Sequence, residues 1–312
     1  MTLDPQLQAI LDAMAARGAP PMWTMPHAEA RAMAEAGFSA MRGAGVEEVA
    51  HVVDRVVPGR GGDIPVRVYR PEGFGPFGVL VWFHGGGFVI GSVEGSDQLC
   101  RALCNRGRCV VVSVEYRLAP EHPFPAAVDD TWDALCWAQD HAAEIGGDPL
   151  RVAVGGDSAG ANLAAVAALT HRDASRRPPL KLQLLAYPGV DRRGGYESVD
   201  DPDRAVILPK PLRQWFHAAY LPAGTDVTDH RVSPMCADSH EGVAPAYVMT
   251  AGYDPLHDEG NAYAVVLDAA GVATSLRCYE TLVHGFLTYA PFVDAARTAL
   301  DDAGAALAKA LA

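Results

Sequence analysis

Positive charge is what this 312-residue chain is shortest of: 25 Lys and Arg stand against 38 Asp and Glu, a formal net charge of −13. No basic block relieves the deficit. Nucleic acid is excluded as a partner, because binding it needs clustered Lys and Arg to neutralise phosphates. Long hydrophobic runs are missing too. Hydrophobic residues make up 49% of the chain, yet no stretch reaches the roughly 18 consecutive apolar residues of a membrane-spanning helix, so no membrane association is expected. Cysteine is sparse and unpatterned. Cys100, Cys104, Cys109, Cys136, Cys236 and Cys278 form no Cys-x-x-Cys pair, and no His-x-x-x-His lies near them. Reduced, buried thiols are expected rather than disulfides or a zinc site, and neither metal nor cofactor is implied. The amino-terminal stretch also lacks the unbroken apolar core of a signal peptide. Leu3, Leu7, Ile10, Leu11 and Met14 recur at helical spacing, with Asp4-Pro5 as N-cap and first turn and Gly18 then Pro20-Pro21 as the stop. A cytoplasmic protein is the expectation.

Strand-like and helix-like patterns alternate from about residue 49 onward. Val49 to Val57 and Ile64 to Tyr69 alternate in hydrophobicity on either side of Gly59-Arg60-Gly61-Gly62, which reads as a hairpin. Gly78 to Phe83 and Cys109 to Val114 are continuous apolar runs, as strands buried on both faces should be. Arg151 to Gly155, Leu180 to Ala186, Ala246 to Thr250 and Ser275 to Tyr279 read as further strands. Helices are predicted over Ser96–Arg106, Ala126–His141, Ala161–Leu169, Asp258–Ala270 and Pro291–Leu311. Such alternation implies a parallel sheet covered on both faces, with the hairpin as an antiparallel edge. Two regions stand outside it: residues 1–48, and an excursion over about 190–243 with one clear helix near Pro211 to Leu221. An excursion of that length between strands is usually functional, so both regions are expected to form a helical cap over the carboxyl edge of the sheet. The catalytic core would then be 49–189 and 244–312, in a single domain.

The chemistry begins at Gly156-Asp157-Ser158-Ala159-Gly160, set between an apolar strand and a helix. A Gly-x-Ser-x-Gly in that setting is a nucleophile elbow, which presents the serine hydroxyl at the tip of a sharp turn. A serine hydroxyl is a poor nucleophile until an oriented base takes its proton. In hydrolases with this elbow the partners follow in the order Ser, then Asp or Glu, then His. Asp254 lies just past the strand 246–250, and His284 just past the strand 275–279. Both therefore fall at the edge where Ser158 is expected. Asp258 and Glu259 compete with Asp254 but fit better as first-turn acids of the next helix. Upstream, strand 78–83 runs into His84-Gly85-Gly86-Gly87-Phe88. Successive glycines leave backbone N–H groups unshielded, so with the N–H of Ala159 this loop can form an oxyanion hole.

These motifs carry a resemblance. His84-Gly85-Gly86-Gly87, the stretch Tyr116 to Ala127, Gly156 to Gly160, Asp254-Pro255-Leu256 and His284-Gly285-Phe286 occur in the order of the hormone-sensitive-lipase family of carboxylesterases. The chain resembles the bacterial branch with Asp before the serine, over about residues 50–290. The resemblance implies an α/β-hydrolase fold: a mostly parallel central sheet with an antiparallel edge, helices on both faces and a helical cap. It implies Ser158 as nucleophile, Asp254 and His284 as its partners, and Gly86, Gly87 and Ala159 as oxyanion donors with Gly85 alongside. Ala161, where the family usually has another glycine, and Glu115, where Asp commonly precedes the tyrosine, depart from its pattern. Glu121 and His122 could be mistaken for an acid–base pair, but a Pro-rich turn that fixes the next helix explains them better. Met22, Trp23, Trp215, Phe216 and Tyr220 are candidates to line an acyl pocket or merely to pack helix on helix.

The reading is a serine carboxylesterase that hydrolyses small to medium acyl esters through an acyl-enzyme, with a small-molecule ester as its partner. Two other functions remain open at this stage: a deacetylase, amidase or lactonase on the same residues, and a non-catalytic small-molecule receptor. The sequence also leaves a homodimer open.

Overall fold

In the computed structural model, which describes residues 2–41, 45–175 and 178–312, the hairpin strands β1 (His51–Val57) and β2 (Ile64–Arg70) open an eight-stranded sheet. It continues through β3 (Phe77–Phe83), β4 (Cys109–Val114), β5 (Gly147–Asp157), β6 (Gln183–Ala186), β7 (Ala246–Tyr253) and β8 (Thr274–Val283). The spatial order is β1-β2-β4-β3-β5-β6-β7-β8. β1–β2 and β2–β4 pair antiparallel, and every later pair is parallel. The antiparallel edge and parallel centre are those the patterning predicts. Extents differ: β5 runs longer at both ends, β7 and β8 continue to Tyr253 and Val283, and β6 joins the ladder only from Gln183.

Period-two alternation in the central strands builds two apolar layers. Val79, Val81 and Phe83 of β3 face one layer with Val154 and Leu163, while Leu80 and Trp82 face the other with Leu103 and Leu307. The first layer is covered by α4 (Ala126–Asp140), α5 (Ala159–Asp173) and α8 (His257–Ala269), the second by α3 (Asp97–Gly107) and α9 (Asp294–Ala310). Each fully buried Val, Leu or Phe contributes about 1.5–3 kcal/mol, so the sheet centre is the most costly place to disturb. β1 lies at the other extreme: Val53 and Val56 are exposed on the outer edge.

The two segments outside the alternation are helical, as expected, but do different things. Among the described residues they contain α1 (Pro5–Ala16), α2 (His27–Ala40), a four-residue turn α6 (Glu197–Asp200) and α7 (Lys210–Tyr220). Asp4 caps α1 by accepting from the N–H groups of Gln6 (2.9 Å) and Leu7 (3.2 Å), worth about 1 kcal/mol. The Asp4 N–H donates to Thr281 of β8, and Gln6 exchanges bonds with Asp294 of α9. So α1 is a brace on the far edge of the sheet. α2 instead reaches α7, where His27 stacks on Trp215 with ring centroids 4.7 Å apart. Arg31 of α2 donates to the carbonyls of Val89 and Ala119 and grips Glu121. Glu121 is therefore half of an ion pair that ties α2 to the Pro-rich turn.

Candidate active site

β5 ends at Asp157 and α5 begins at Ala159, so Ser158 takes the whole change of direction. Its φ of +54° and ψ of −115° lie in a region L-residues rarely occupy. Neither flanking glycine has a positive φ; their role is room rather than conformational freedom. A Cβ on Gly156 would run into the backbone of Gly160, and one on Gly160 into the carbonyl of Phe83. Strand β3, the elbow and the first turn of α5 are thus pressed together at a point only glycine allows. Ala161, the departure from the family pattern, is fully buried there without a polar group to satisfy.

The structure brings together the three side chains predicted from separate loops. Ser158 Oγ lies 2.8 Å from His284 Nε2, and His284 Nδ1 lies 2.8 Å from Asp254 Oδ2. The other oxygen of Asp254 accepts the Leu256 N–H at 2.8 Å, so the carboxylate, 1% exposed, has both oxygens engaged. With Nδ1–H donated to Asp254, Nε2 is left to accept the serine proton. Tyr187 stands edge-on to the imidazole at 5.0 Å and closes its far side. The competing acids are occupied elsewhere. Asp258 accepts the Ser198 N–H at 2.9 Å, and buried Glu259 accepts the Val190 N–H at 2.7 Å. Both fasten the head of α8 to the 190s loop.

The glycine loop corrects one expectation. Gly85, placed alongside the oxyanion donors by resemblance, has its N–H committed to Asp157 Oδ1 at 2.9 Å and is unavailable to a substrate oxygen. Gly86 and Gly87 follow at φ +119° and +60°. A Cβ on Gly86 would meet the Ile90 carbonyl, and one on Gly87 the ring of Phe216 from α7. Ala159 contributes the first N–H of α5, which has no partner within the helix. The loop is stiffened from below: His84 is buried and stacks on Tyr116 at 4.3 Å, and the Tyr116 hydroxyl donates to the His84 carbonyl at 2.7 Å. Burial lowers the His84 pKa, which keeps it neutral.

Sequence reasoning missed three residues. Asp157 was treated only as part of a motif, yet it fixes the glycine loop; burial pushes its carboxyl up to about 6 while the Gly85 N–H pulls it down. Asn162 donates to the carbonyls of Gly189 (2.8 Å) and Val232 (2.9 Å), pinning the start and end of the excursion onto α5. Tyr187 has no signal beyond its position after β6. Of the aromatic candidates, Phe216 touches the glycine loop, Tyr220 stacks on Phe88 at 3.8 Å and Trp215 on His27. Met22 packs against the core, and Trp23 is partly buried in the turn before α2. No cluster of three or more metal-ligating side chains occurs among the described residues.

Fold and site together define a hydrolase of the serine type. A model of the alpha/beta hydrolase fold family matches residues 80–288, and the chain belongs to that family, in its hormone-sensitive-lipase type, as a carboxylic ester hydrolase. Carboxylic ester hydrolase LipN of Mycobacterium tuberculosis is 44% identical over 292 residues, 92% of this chain and 77% of LipN. Carboxylesterase NlhH of the same organism is 45% identical over 255 residues, 80% of this chain and 79% of NlhH. The ester-hydrolase EH1AB1 from the metagenome of Lake Arreo, solved with a derivative of bipyridine phosphonate, superposes with a TM-score of 0.94 at 42% identity, covering 99% of both chains.

Proposed function

We propose that Ser158, His284 and Asp254 are the catalytic triad of this carboxylesterase, acting on small to medium acyl esters. Ser158 Oγ attacks the ester carbonyl as its proton passes to His284 Nε2. The oxyanion that forms is met by the N–H groups of Gly86, Gly87 and Ala159, fixed in place before the reaction begins. His284 then protonates the leaving alcohol, and the resulting acyl-Ser158 is hydrolysed by a water that His284 activates in the same way. Asp254 holds the imidazole in the working tautomer and stabilises its charged form. The carrying observation is the unbroken 2.8 Å and 2.8 Å relay from Asp254 through His284 to a serine held at a strained dihedral. An intact base at that distance also argues against a receptor that merely uses the fold.

Of the two segments expected to form the cap, 1–48 and 190–243, α2 and the 190–243 excursion serve as cap while α1 braces β8, with 49–189 and 244–312 as the core. The stacking of His27 on Trp215 and the contact of Phe216 with Gly87 support this division. The buried thiols of Cys100, Cys104 and Cys109 favour work in the cytoplasm. An activated phosphonate probe tests the assignment: it should label the wild-type protein on Ser158 and leave Ser158→Ala unlabelled. Labelling of the variant to the same extent sinks the assignment. An acyl-chain series of activated esters should peak at short to medium chains, whereas a steady rise to long chains would contradict the substrate class.

A further inference from the structure

Arginines in this acidic chain are mostly neutralised by a carboxylate in contact. Arg31, Arg60, Arg67, Arg106 and Arg117 each have one, and Arg193 is held by Asp191 at 2.7 Å. Arg192 and Arg213 are among the exceptions, and they share one place: no carboxylate of the described residues lies within ion-pair distance of either guanidinium. Arg213 donates one terminal nitrogen to the Val199 carbonyl at 2.6 Å, and its Nε is buried without a partner. Both side chains line one cavity of about 420 Å³ between α7, the 191–200 loop and the head of α8. Burial lowers the Arg213 pKa; the carboxylates of Asp200, Glu259 and Asp254 oppose that shift from a distance, and the charge of Arg192 adds to it.

The acids around this cavity have other partners and pair directly with neither arginine. Asp191 is taken by Arg193 and Tyr196, and exposed Asp200 by Lys210 at 3.3 Å. Glu259 accepts the Val190 N–H, and burial pushes its carboxyl up to about 8, so it is mostly uncharged at neutral pH. His217, also at the wall, is kept neutral by burial and by Arg192. The two guanidiniums therefore face the cavity with no carboxylate of the described residues in ion-pair contact.

It also adjoins a residue that holds the triad acid. Leu256 lines the cavity, and its N–H holds Asp254. Gly189 stands against Arg192 and Glu259, each about 3.6 Å from where its Cβ would be, and its carbonyl is bonded to Asn162. Asn162 is one helical turn, roughly 5.4 Å, along α5 from Ser158. Arg213 and His217 of the cavity wall also share α7 with Phe216, whose ring stands over Gly87 of the glycine loop.

We infer that Arg192 and Arg213 bind a carboxylate carried by the substrate in addition to its ester. A guanidinium fork matches carboxylate geometry, and a partly desolvated pair of them is stabilised by an anion between. The inference rests on Ser158 as the nucleophile. The acid can stand on the acyl side, as in the half-ester of a short dicarboxylic acid, or on the alcohol side, as in an acyl ester of a hydroxy acid. Steady-state kinetics on the whole chain decides. One arm compares methyl half-esters of short dicarboxylic acids with methyl esters of monocarboxylic acids of equal length. The other compares acetyl esters of short hydroxy acids with acetyl esters of the matching alcohols. In one arm kcat/KM should favour the acidic ester by about tenfold or more. Arg192→Gln and Arg213→Gln should each lower that preference about tenfold through KM, while Arg55→Gln on β1 leaves it in place. Independently of any variant, the product dicarboxylate or hydroxy acid should inhibit the wild-type protein competitively, and less so in high salt. Preference for the neutral ester in both arms, or an acidic preference untouched by both arginine variants, overturns the inference. Turnover of neutral esters that disappears in Ser158→Ala tests the triad separately, so the two readings fail in different ways.

Discussion

The two sides of the site are built on opposite terms. On the sheet side each reacting group is engaged: both nitrogens of His284, both oxygens of Asp254 and the hydroxyl of Ser158 have partners. On the side of α7 and the 191–200 loop, two guanidiniums share a cavity with no carboxylate of the described residues in ion-pair contact. The difference teaches where each task is placed. Bond-making needs groups oriented before the substrate arrives, so it sits on strand ends whose burial resists movement. Selection is served by groups the substrate itself completes, and those sit on a helix and loop pinned at only a few points such as Asn162.

Substitution of the sheet side should therefore cost rate, with little recovery by stronger binding. Ser158→Ala should lower kcat by about 10⁶-fold, measured by stopped-time hydrolysis of an activated ester. Asp254→Asn should lower it by roughly 10⁴-fold, because the imidazole loses its tautomer while the loop geometry survives. An Asp254 variant of full activity would remove it from the relay and break the comparison at its firmest point. Gly87→Ala comes next. The added methyl must displace the Phe216 ring or shift a loop residue at φ +60°, so an oxyanion donor moves. A loss of about 10²-fold in kcat is expected, the scale of a single lost donor. Restoration by a second change, Phe216→Ala, would show that the cap ring rather than the dihedral was the obstacle.

Much of the sheet side was legible in the sequence because its signals are local. A buried run followed at once by His84-Gly85-Gly86-Gly87, by the elbow, by Asp254 or by His284 puts each group at a strand end, and parallel topology does the rest. What escaped depends on contacts between distant positions. Gly85 looks like its neighbours until Asp157, far along the chain, is seen taking its N–H. The elbow glycines look like hinges until their missing side chains prove to be the point of contact with β3. Arg192 and Arg193 are adjacent and chemically identical, and only the fold decides that one meets Asp191 while the other faces the cavity. The division of residues 1–48 was hidden similarly, since α1 and α2 have comparable patterns but rest on opposite regions.

One buried charge on the sheet side sharpens the comparison further. Asp157 is held by the Gly85 N–H at 2.9 Å, and burial raises its carboxyl from 3.8 to about 6. Between about pH 4 and 6 the unfolded chain has released this proton while the folded chain retains it. The folded state then binds more protons, so stability falls as pH rises through that window, by on the order of 3 kcal/mol at most. Asp157→Asn keeps an oxygen for the Gly85 N–H but has no proton to lose. Thermal or urea unfolding across pH should show that decline flattened in the variant, with wild type and variant converging near pH 4. Activity at pH 8 should change least of all the substitutions named, by less than about tenfold, since the loop keeps its bond. A variant with an unchanged pH profile of stability would mean that Asp157 is ionised in the folded chain at no cost. A variant with flat stability but activity lost as in Asp254→Asn would mean that its charge, and not only its bond to the loop, serves the reaction.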